Sequence, residues 1–301
     1  MTITLDWRDE LAEDDADQVR ALLLAARAVD GRPELTEDGP LPGELRGPRH
    51  LLARDASELV GYAHLDVAGD AFGRQVGELY VRPGRRRRGI GGAMLTELID
   101  AAAPADADVA AAGPRIWSHT DHPGAAALAG RFGLRRVREL VRMRRDLGHA
   151  LPEVRLPAGT RVRTFVPGED DDAVIDINRR AFAWHPEQGA LTVADLAAAR
   201  REPWFDPAGF FLAVGDDDRV IGFHWTKIHP DGVGEVYVVG VDPDAHGGGL
   251  GTALTLAGLH HLRARGVPSV LLYVEGDNAA ALAVYAKLGF QRWDVGVQYA
   301  R

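Results

Sequence analysis

The sequence contains no cysteine. That excludes disulfides, thiolate metal sites and a cysteine nucleophile, and it suits a reducing compartment. Lysine is almost as scarce. Lys227 and Lys287 are the only two, and arginine carries the rest of the positive charge. The formal net charge is -9, which speaks against a nucleic-acid partner, because phosphate polymers are held by clustered positive charge. No uncharged apolar run approaches the roughly 18 residues of a membrane helix, so no membrane partner is expected. The opening stretch, MTITLDWRDE, has neither a basic n-region nor an apolar h-region, so the expected location is cytoplasmic. No HExxH occurs, and His119, His122, His260 and His261 lack ligand spacing, so no metal is expected. Neither glycine-rich loop ends in Gly-Lys-Ser/Thr, which excludes a Walker loop. Nor does either follow the first strand of an alternating βαβ unit, as a dinucleotide fingerprint would.

What is present is a repeat. The 301 residues suggest two domains. The segment Glu78–Gly91 resembles Val238–Gly251: Pro83 matches Pro243, Gly89 matches Gly249, and Gly91 and Gly251 stand 160 residues apart (251 − 91). Further on, Phe132–Leu134 resembles Leu288–Phe290 at an offset of 156 (289 − 133). Two features in the same order at nearly the same separation indicate duplication. The halves are expected at 1–147 and 161–301, with a linker at 148–160 that carries Gly148, Pro152, Pro157 and Gly159. Each half reads as a helix (17–28 and 170–183), two strands around a turn (51–54 with 59–65, and 210–214 with 220–228), a third strand, a glycine-rich loop and a helix. A further strand, a short helix and a last strand follow. This order predicts an α/β fold, each half a mixed, mostly antiparallel sheet flanked by helices.

The loops point to a ligand. Tyr237–Val241 reads as a buried strand, Gly247–Gly251 as a loop, and Thr252–Leu262 as a helix. A glycine loop at a helix N-terminus presents backbone N–H groups and positive potential to an anion. Four arginines, Arg85–Arg88, stand in the equivalent loop of the first half. A lone glycine loop is as readily a tight turn. Two copies, one beside a basic run in an acidic protein, favour a small anionic ligand.

Arg86–Gly91 resembles the Gln/Arg-x-x-Gly-x-Gly/Ala loop of the GCN5-related N-acetyltransferases, and Asn278–Phe290 resembles that family's C-terminal segment. The resemblance implies two tandem acyl-CoA N-acyltransferase domains. It also implies acetyl-CoA as co-substrate and, for coenzyme contacts, Leu79, Tyr80, Val81, Arg86, Arg87, Arg88, Gly89, Ile90, Gly91 and Gly92 in the first half. In the second half it implies Val239, Gly240, Val241, His246, Gly247, Gly248, Gly249, Leu250, Gly251 and Thr252, then Asn278, Ala279, Ala280, Ala281, Leu282 and Ala283. His246 departs from the pattern, standing where glutamine or arginine is usual.

A closer likeness lies in Asp6–Arg8, Ala28–Gly31, His185–Gly189, Gly222–Lys227, Gly234–Val238 and Leu272–Glu275. These look like tandem members of the family that acetylate the cysteinyl amine of a cysteine–glucosamine–inositol conjugate. A monomer acting on a small thiol-sugar acceptor is implied. So are Glu235 as base, Tyr285 as acid, and Glu37, Glu187, Lys227, Glu235 and Tyr273 as acceptor contacts. On spacing alone Glu235 is also readable as a solvated strand carboxylate, and Tyr285 equally as a core aromatic. At the repeat offsets Gln75 and Ala129 replace Glu235 and Tyr285. The first half is therefore expected to bind coenzyme, or only to support the fold, without turnover. Transfer to another small amine, such as an aminoglycoside or polyamine, stays open, as does a silent acyl-CoA-binding protein.

Overall fold

The computed structural model describes residues 3–32, 35, 41–70, 72–102, 113–185 and 188–301. They form two compact units, residues 1–140 with 294–301, and residues 141–293.

In the first unit, β1 (Ile3–Arg8) is followed by α1 (Glu13–Asp30). Val19, Leu22, Leu23 and Ala26 are the buried residues of α1, an i, i+3, i+4, i+7 stripe that faces a core. Its first turn is acidic (Glu13, Asp14, Asp15), Arg27 lies in the last, and Gly31 closes it at φ 76, in keeping with the helix dipole and a left-handed C-cap. Next come β2 (His50–Asp55), β3 (Glu58–Asp66), β4 (Val76–Val81), α2 (Ile90–Ala101), β5 (Arg115–Ser118), α3 (Pro123–Arg131) and the start of β6 (Arg135–Asp146). β1–β2, β2–β3 and β3–β4 are antiparallel, and β4–β5 is parallel. Alternation along β2 sends Leu51 and Ala53 to the α2 face and Leu52 to the α1 face.

The second unit runs β7 (Arg161–Thr164), α4 (Asp171–Ala181), α5 (Val193–Ala199), β8 (Phe210–Val214), β9 (Val220–Ile228), β10 (Gly234–Val241), α6 (Leu250–Ala264), β11 (Ser269–Glu275), α7 (Ala279–Lys287) and the start of β12 (Gln291–Ala300). β7 to β10 pair antiparallel in chain order, and β10–β11 is parallel. One face is packed by α4 and α5 around Phe210, Phe223 and Trp225, the other by Leu250 and Leu254 of α6. Each unit is thus a mixed, mostly antiparallel sheet with helices on both faces. α5 is a helix that the sequence reading lacked. A capping box between Thr192 and Asp195 starts it.

The compact units do not follow the expected bounds of 1–147 and 161–301. Residues 141–147 belong to the second unit and 294–301 to the first. β12 ends antiparallel to β5, with Val297 opposite Ser118 and Tyr299 opposite Ile116. Val297 and Tyr299 lie in the same core cluster as Leu51, Val60 and Met94. The burial of that apolar alternation, rather than chain order, decides which unit the last residues join. Residues 148–160 form neither helix nor strand.

Candidate active site

β10 carries the site. It pairs with β9 along its whole length, but with β11 only at Gly234 and Glu235. Beyond Glu235 the two parallel strands part. The edge of β10 that faced β11 is left without ladder partners over Val239, Gly240 and Val241, and such an edge accepts an extended ligand by main-chain hydrogen bonds. A register shift between Val236 and Val238 puts a bulge at Tyr237, and bulges bend a strand and re-aim its side chains. From Glu235 to Val241 is about 20 Å at ~3.3 Å per residue, the path an extended pantetheine arm would take.

Beyond Val241 the chain makes a 3-10 turn (Pro243–Ala245) and then three successive left-handed residues, Gly247 (φ 93), Gly248 (φ 58) and Gly249 (φ 83). Residues with a Cβ avoid this conformation, and its successive N–H groups form a concave anion nest. Gly249 caps α6 with no side-chain hydrogen bond, so the N–H groups of Leu250, Gly251 and Thr252 have no side-chain acceptor there. A Cβ at Gly247 or Gly249 would meet nothing within 4 Å. The cradle is open, and its chemistry fits a pyrophosphate.

The first unit repeats the arrangement. β4 pairs with β5 at Val76, Gly77 and Glu78 only, so Leu79, Tyr80 and Val81 occupy the equivalent edge. Arg87 (φ 62) and Gly89 (φ 85) are the left-handed residues, and Gly89 caps α2, whose first turn holds Ile90, Gly91 and Gly92. The arginines are largely committed within the unit. Arg85 pairs with Glu58, and Arg86 forks onto Asp30 at 2.9 and 2.5 Å. Arg88 too is engaged in an interaction of its own. Arg86 Nε also donates to the Val81 carbonyl at 3.1 Å, and His246 Nε2 lies 3.2 Å from the carbonyl of Val241. His246 therefore keeps the strand-end tether of its repeat partner Arg86, which explains how histidine serves at that position.

Glu235 is buried, at 6% exposure. Its Oε2 lies 2.8 Å from His229 Nε2. Lys227 stands opposite it in the β9 register, with Nζ 4.7 Å from the Trp204 ring centroid and 5.3 Å from that of Tyr237. Burial, helped by the Glu235 carboxylate, pushes the Tyr237 phenol up. Tyr285 sits on α7 against Phe290, ring centroids 5.8 Å apart, and burial pushes its phenol up to about 12. A phenol so raised keeps its proton at any working pH, as a general acid requires. Asn278 is the N-cap of α7. Its Oδ1 accepts from Ala281 N–H at 3.0 Å, which leaves its amide to meet a ligand. Ala279–Ala283 make the opening turns of α7, and Tyr273 lies on β11. Glu37 and Glu187 lie outside the described residues. His229 was not singled out from the sequence, although it stands six residues before Glu235 on the same hairpin.

One expectation for the first unit needs correcting. It lacks a tyrosine at Ala129, but it is not without a buried carboxylate. Glu78, 4% exposed, lies 2.8 Å from His119 Nε2 and accepts from Tyr80 Oη at 2.9 Å. Burial would raise its carboxyl, but His119 and Tyr80 hold it below its usual value. The bulge at Tyr237 adds a residue to β10. Counted in sheet rungs from Val81 and Val241, the partner of Glu235 is therefore Val76, not Gln75. Among the described residues no group of three or more His, Asp or Glu is placed to hold a metal. His122 Nδ1 caps α3, accepting from Gly124 N–H at 2.9 Å, and His260 Nε2 lies 2.8 Å from the Pro152 carbonyl.

A parted pair of parallel strands, a loop of left-handed residues and a helix N-terminus with no side-chain cap, present in both units, define a GCN5-related N-acetyltransferase fold built twice. Residues 172–290 match the acetyltransferase (GNAT) family and residues 46–133 an acetyltransferase (GNAT) domain. The mycothiol acetyltransferase of Saccharomonospora viridis is 60% identical, with 98% of each chain covered, and that of Amycolatopsis mediterranei is 54% identical at the same coverage. The chain belongs to the mycothiol acetyltransferase family. Among solved structures, a GCN5-related N-acetyltransferase from Sphaerobacter thermophilus shares the fold at TM-score 0.75 and 23% identity, covering 99% of this chain and 95% of that one. A tandem GNAT protein from the clavulanic acid biosynthesis pathway does so at TM-score 0.72 and 22% identity, covering 100% and 98%. No helix among the described residues is long and apolar enough to cross a membrane.

Proposed function

We propose that the protein is an N-acetyltransferase of mycothiol synthesis that moves acetyl from acetyl-CoA to the cysteinyl amine of the cysteine–glucosamine–inositol conjugate, and that the second unit does the chemistry. The observation that carries this is the placement of Glu235: a buried carboxylate where β10 and β11 part, on the strand that runs to the glycine nest. The pyrophosphate would rest on Gly247–Gly251, with the pantetheine arm along Val239–Val241 and the thioester at Glu235.

An α-amine has a reference pKa of about 7.7–8.0, so most of it arrives as ammonium at neutral pH. Glu235 takes a proton from that nitrogen, directly or through a water. The free amine attacks the thioester carbonyl, an amide C–N bond forms and the C–S bond breaks. As the amide forms, the nitrogen sheds its second proton to solvent. Tyr285 gives its proton to the departing thiolate and regains one from solvent, and Glu235 releases its own, so one net proton is freed. The products are the N-acetyl conjugate and free coenzyme thiol. Glu37, Glu187, Lys227 and Tyr273 are our acceptor contacts. Lys227, held over two aromatic rings, would present its charge to the hydroxyl-rich acceptor. The first unit keeps a cradle and an open strand edge but has alanine at the position of Tyr285. In this reading it holds a coenzyme without turning it over, in a cytoplasmic monomer.

The test is an acceptor screen with acetyl-CoA, reading thiol release. Turnover with the cysteinyl conjugate, and far less with polyamines and aminoglycosides, is expected. Turnover with another amine and none with the conjugate would overturn the assignment.

A further inference from the structure

We propose that His229 is a positioning residue for the reaction: it fixes the carboxylate of Glu235, so that one oxygen is tied and the other faces the amine. The inference rests on the reading of Glu235 as the base. A glutamate on a strand has free rotation about its outer bonds, and a buried one still needs a partner. Among the described residues, His229 is the side chain that hydrogen-bonds Glu235, Nε2 to Oε2 at 2.8 Å. The opposing cation of the register, Lys227, has its ammonium over Trp204 and Tyr237.

The backbone of His229 is held firmly. His229 begins the turn between β9 and β10. Its N–H donates to the Val233 carbonyl at 2.8 Å, and its carbonyl accepts from Gly232 N–H at 2.9 Å. Gly232 is left-handed at φ 82, and Asp231 Oδ1 accepts from Val233 N–H at 3.1 Å. The turn and the strand belong to one hairpin, so the His229–Glu235 distance is set by local geometry. This inverts the usual order of a carboxylate–histidine pair. Here the imidazole donates and orients, and the carboxylate does the proton transfer. Among the described residues, Lys227 on β9 stands opposite Glu235 and Tyr237 on β10 feels its charge; Asp231 lies in the turn, and Glu202 bears on Tyr237.

The test compares His229→Ala, His229→Gln and Glu235→Gln in the full chain. A hydrogen bond to a charged group supports a loss of about ten- to a hundredfold in kcat for His229→Ala, with the KM for acetyl-CoA unchanged. Added imidazole should restore part of the rate by filling the vacated space, and His229→Gln, which keeps an N–H donor, should retain most of it. A wild-type kcat in His229→Ala while Glu235→Gln is slow would overturn the positioning role alone. A slow His229→Ala that neither imidazole nor glutamine restores would reduce His229 to a structural residue, and overturns it too. A wild-type rate in Glu235→Gln would remove the base, and with it this inference.

Discussion

Replacing Gly249 by valine separates coenzyme binding from folding. At φ 83 the residue is left-handed, where a Cβ costs roughly 1–2 kcal/mol. No atom lies within 4 Å of the added Cβ, so the Cβ itself adds no clash to that strain. For a unit of this size, about 1 kcal/mol lowers Tm by roughly 2–4 °C, and the protein should stay folded. The same side chain would stand in the mouth of the nest. Hydrogen bonds to a charged group contribute about 1.5–3 kcal/mol each, so displacing one amide–phosphate contact should raise the KM for acetyl-CoA about ten- to a hundredfold. The assay is steady-state thiol release, with calorimetry for coenzyme stoichiometry. Gly89→Val is the matched control in the first unit, also left-handed with open space around it. It should cost one bound coenzyme and leave turnover in place. An unchanged KM in folded Gly249→Val, or lost turnover in folded Gly89→Val, would refute the assignment of the two loops.

Tyr285→Phe should slow kcat with little effect on coenzyme affinity. Because burial holds the wild-type phenol up at about 12, the wild-type profile should show no alkaline loss at the ordinary tyrosine value, and a limb near 10 would contradict the assignment. His224 is fully buried, with Nδ1 2.8 Å from the Leu254 carbonyl, and burial pushes its imidazole down to about 4. The unfolded chain then binds more protons than the folded one between pH about 6.5 and 4. The second unit should therefore lose about 3 kcal/mol over that window, which urea titrations in wild type and His224→Phe can compare. In the first unit, Glu78→Gln breaks a buried pair and should cost about 3–5 kcal/mol at neutral pH. The folded Glu78 carboxyl lies below its usual value, so its contribution is present above the unfolded value and lost as pH falls through the folded one. The variant should lack that acid dependence in a denaturation series.

The repeat was legible because its signals are local. Glycine and proline declare left-handed turns and strand ends by themselves, and Gly89 and Gly249 stand where the loops required them. The sheet class followed from α/β alternation and the hairpin turns. The segments at 141–147 and 294–301 were not legible, because Val297 and Tyr299 alternate like any strand and only the tertiary core decides where they pack. The buried Glu78–His119 pair escaped for a related reason. An offset of constant length cannot register the bulge at Tyr237, and a glutamate on a strand reads as solvated until its partners are seen. His229 had one usable signal, its place at the foot of the hairpin that carries Glu235. Nothing in the spacing said that its ring turns inward.

The central claim is that the second unit's carboxylate performs the proton transfer. Glu235→Gln keeps the shape of the side chain and removes only the base. With the cysteinyl conjugate and acetyl-CoA, its turnover should fall by about 10²–10⁴, while calorimetry finds the same coenzyme affinity in both proteins. Wild-type turnover in the folded variant would contradict the claim.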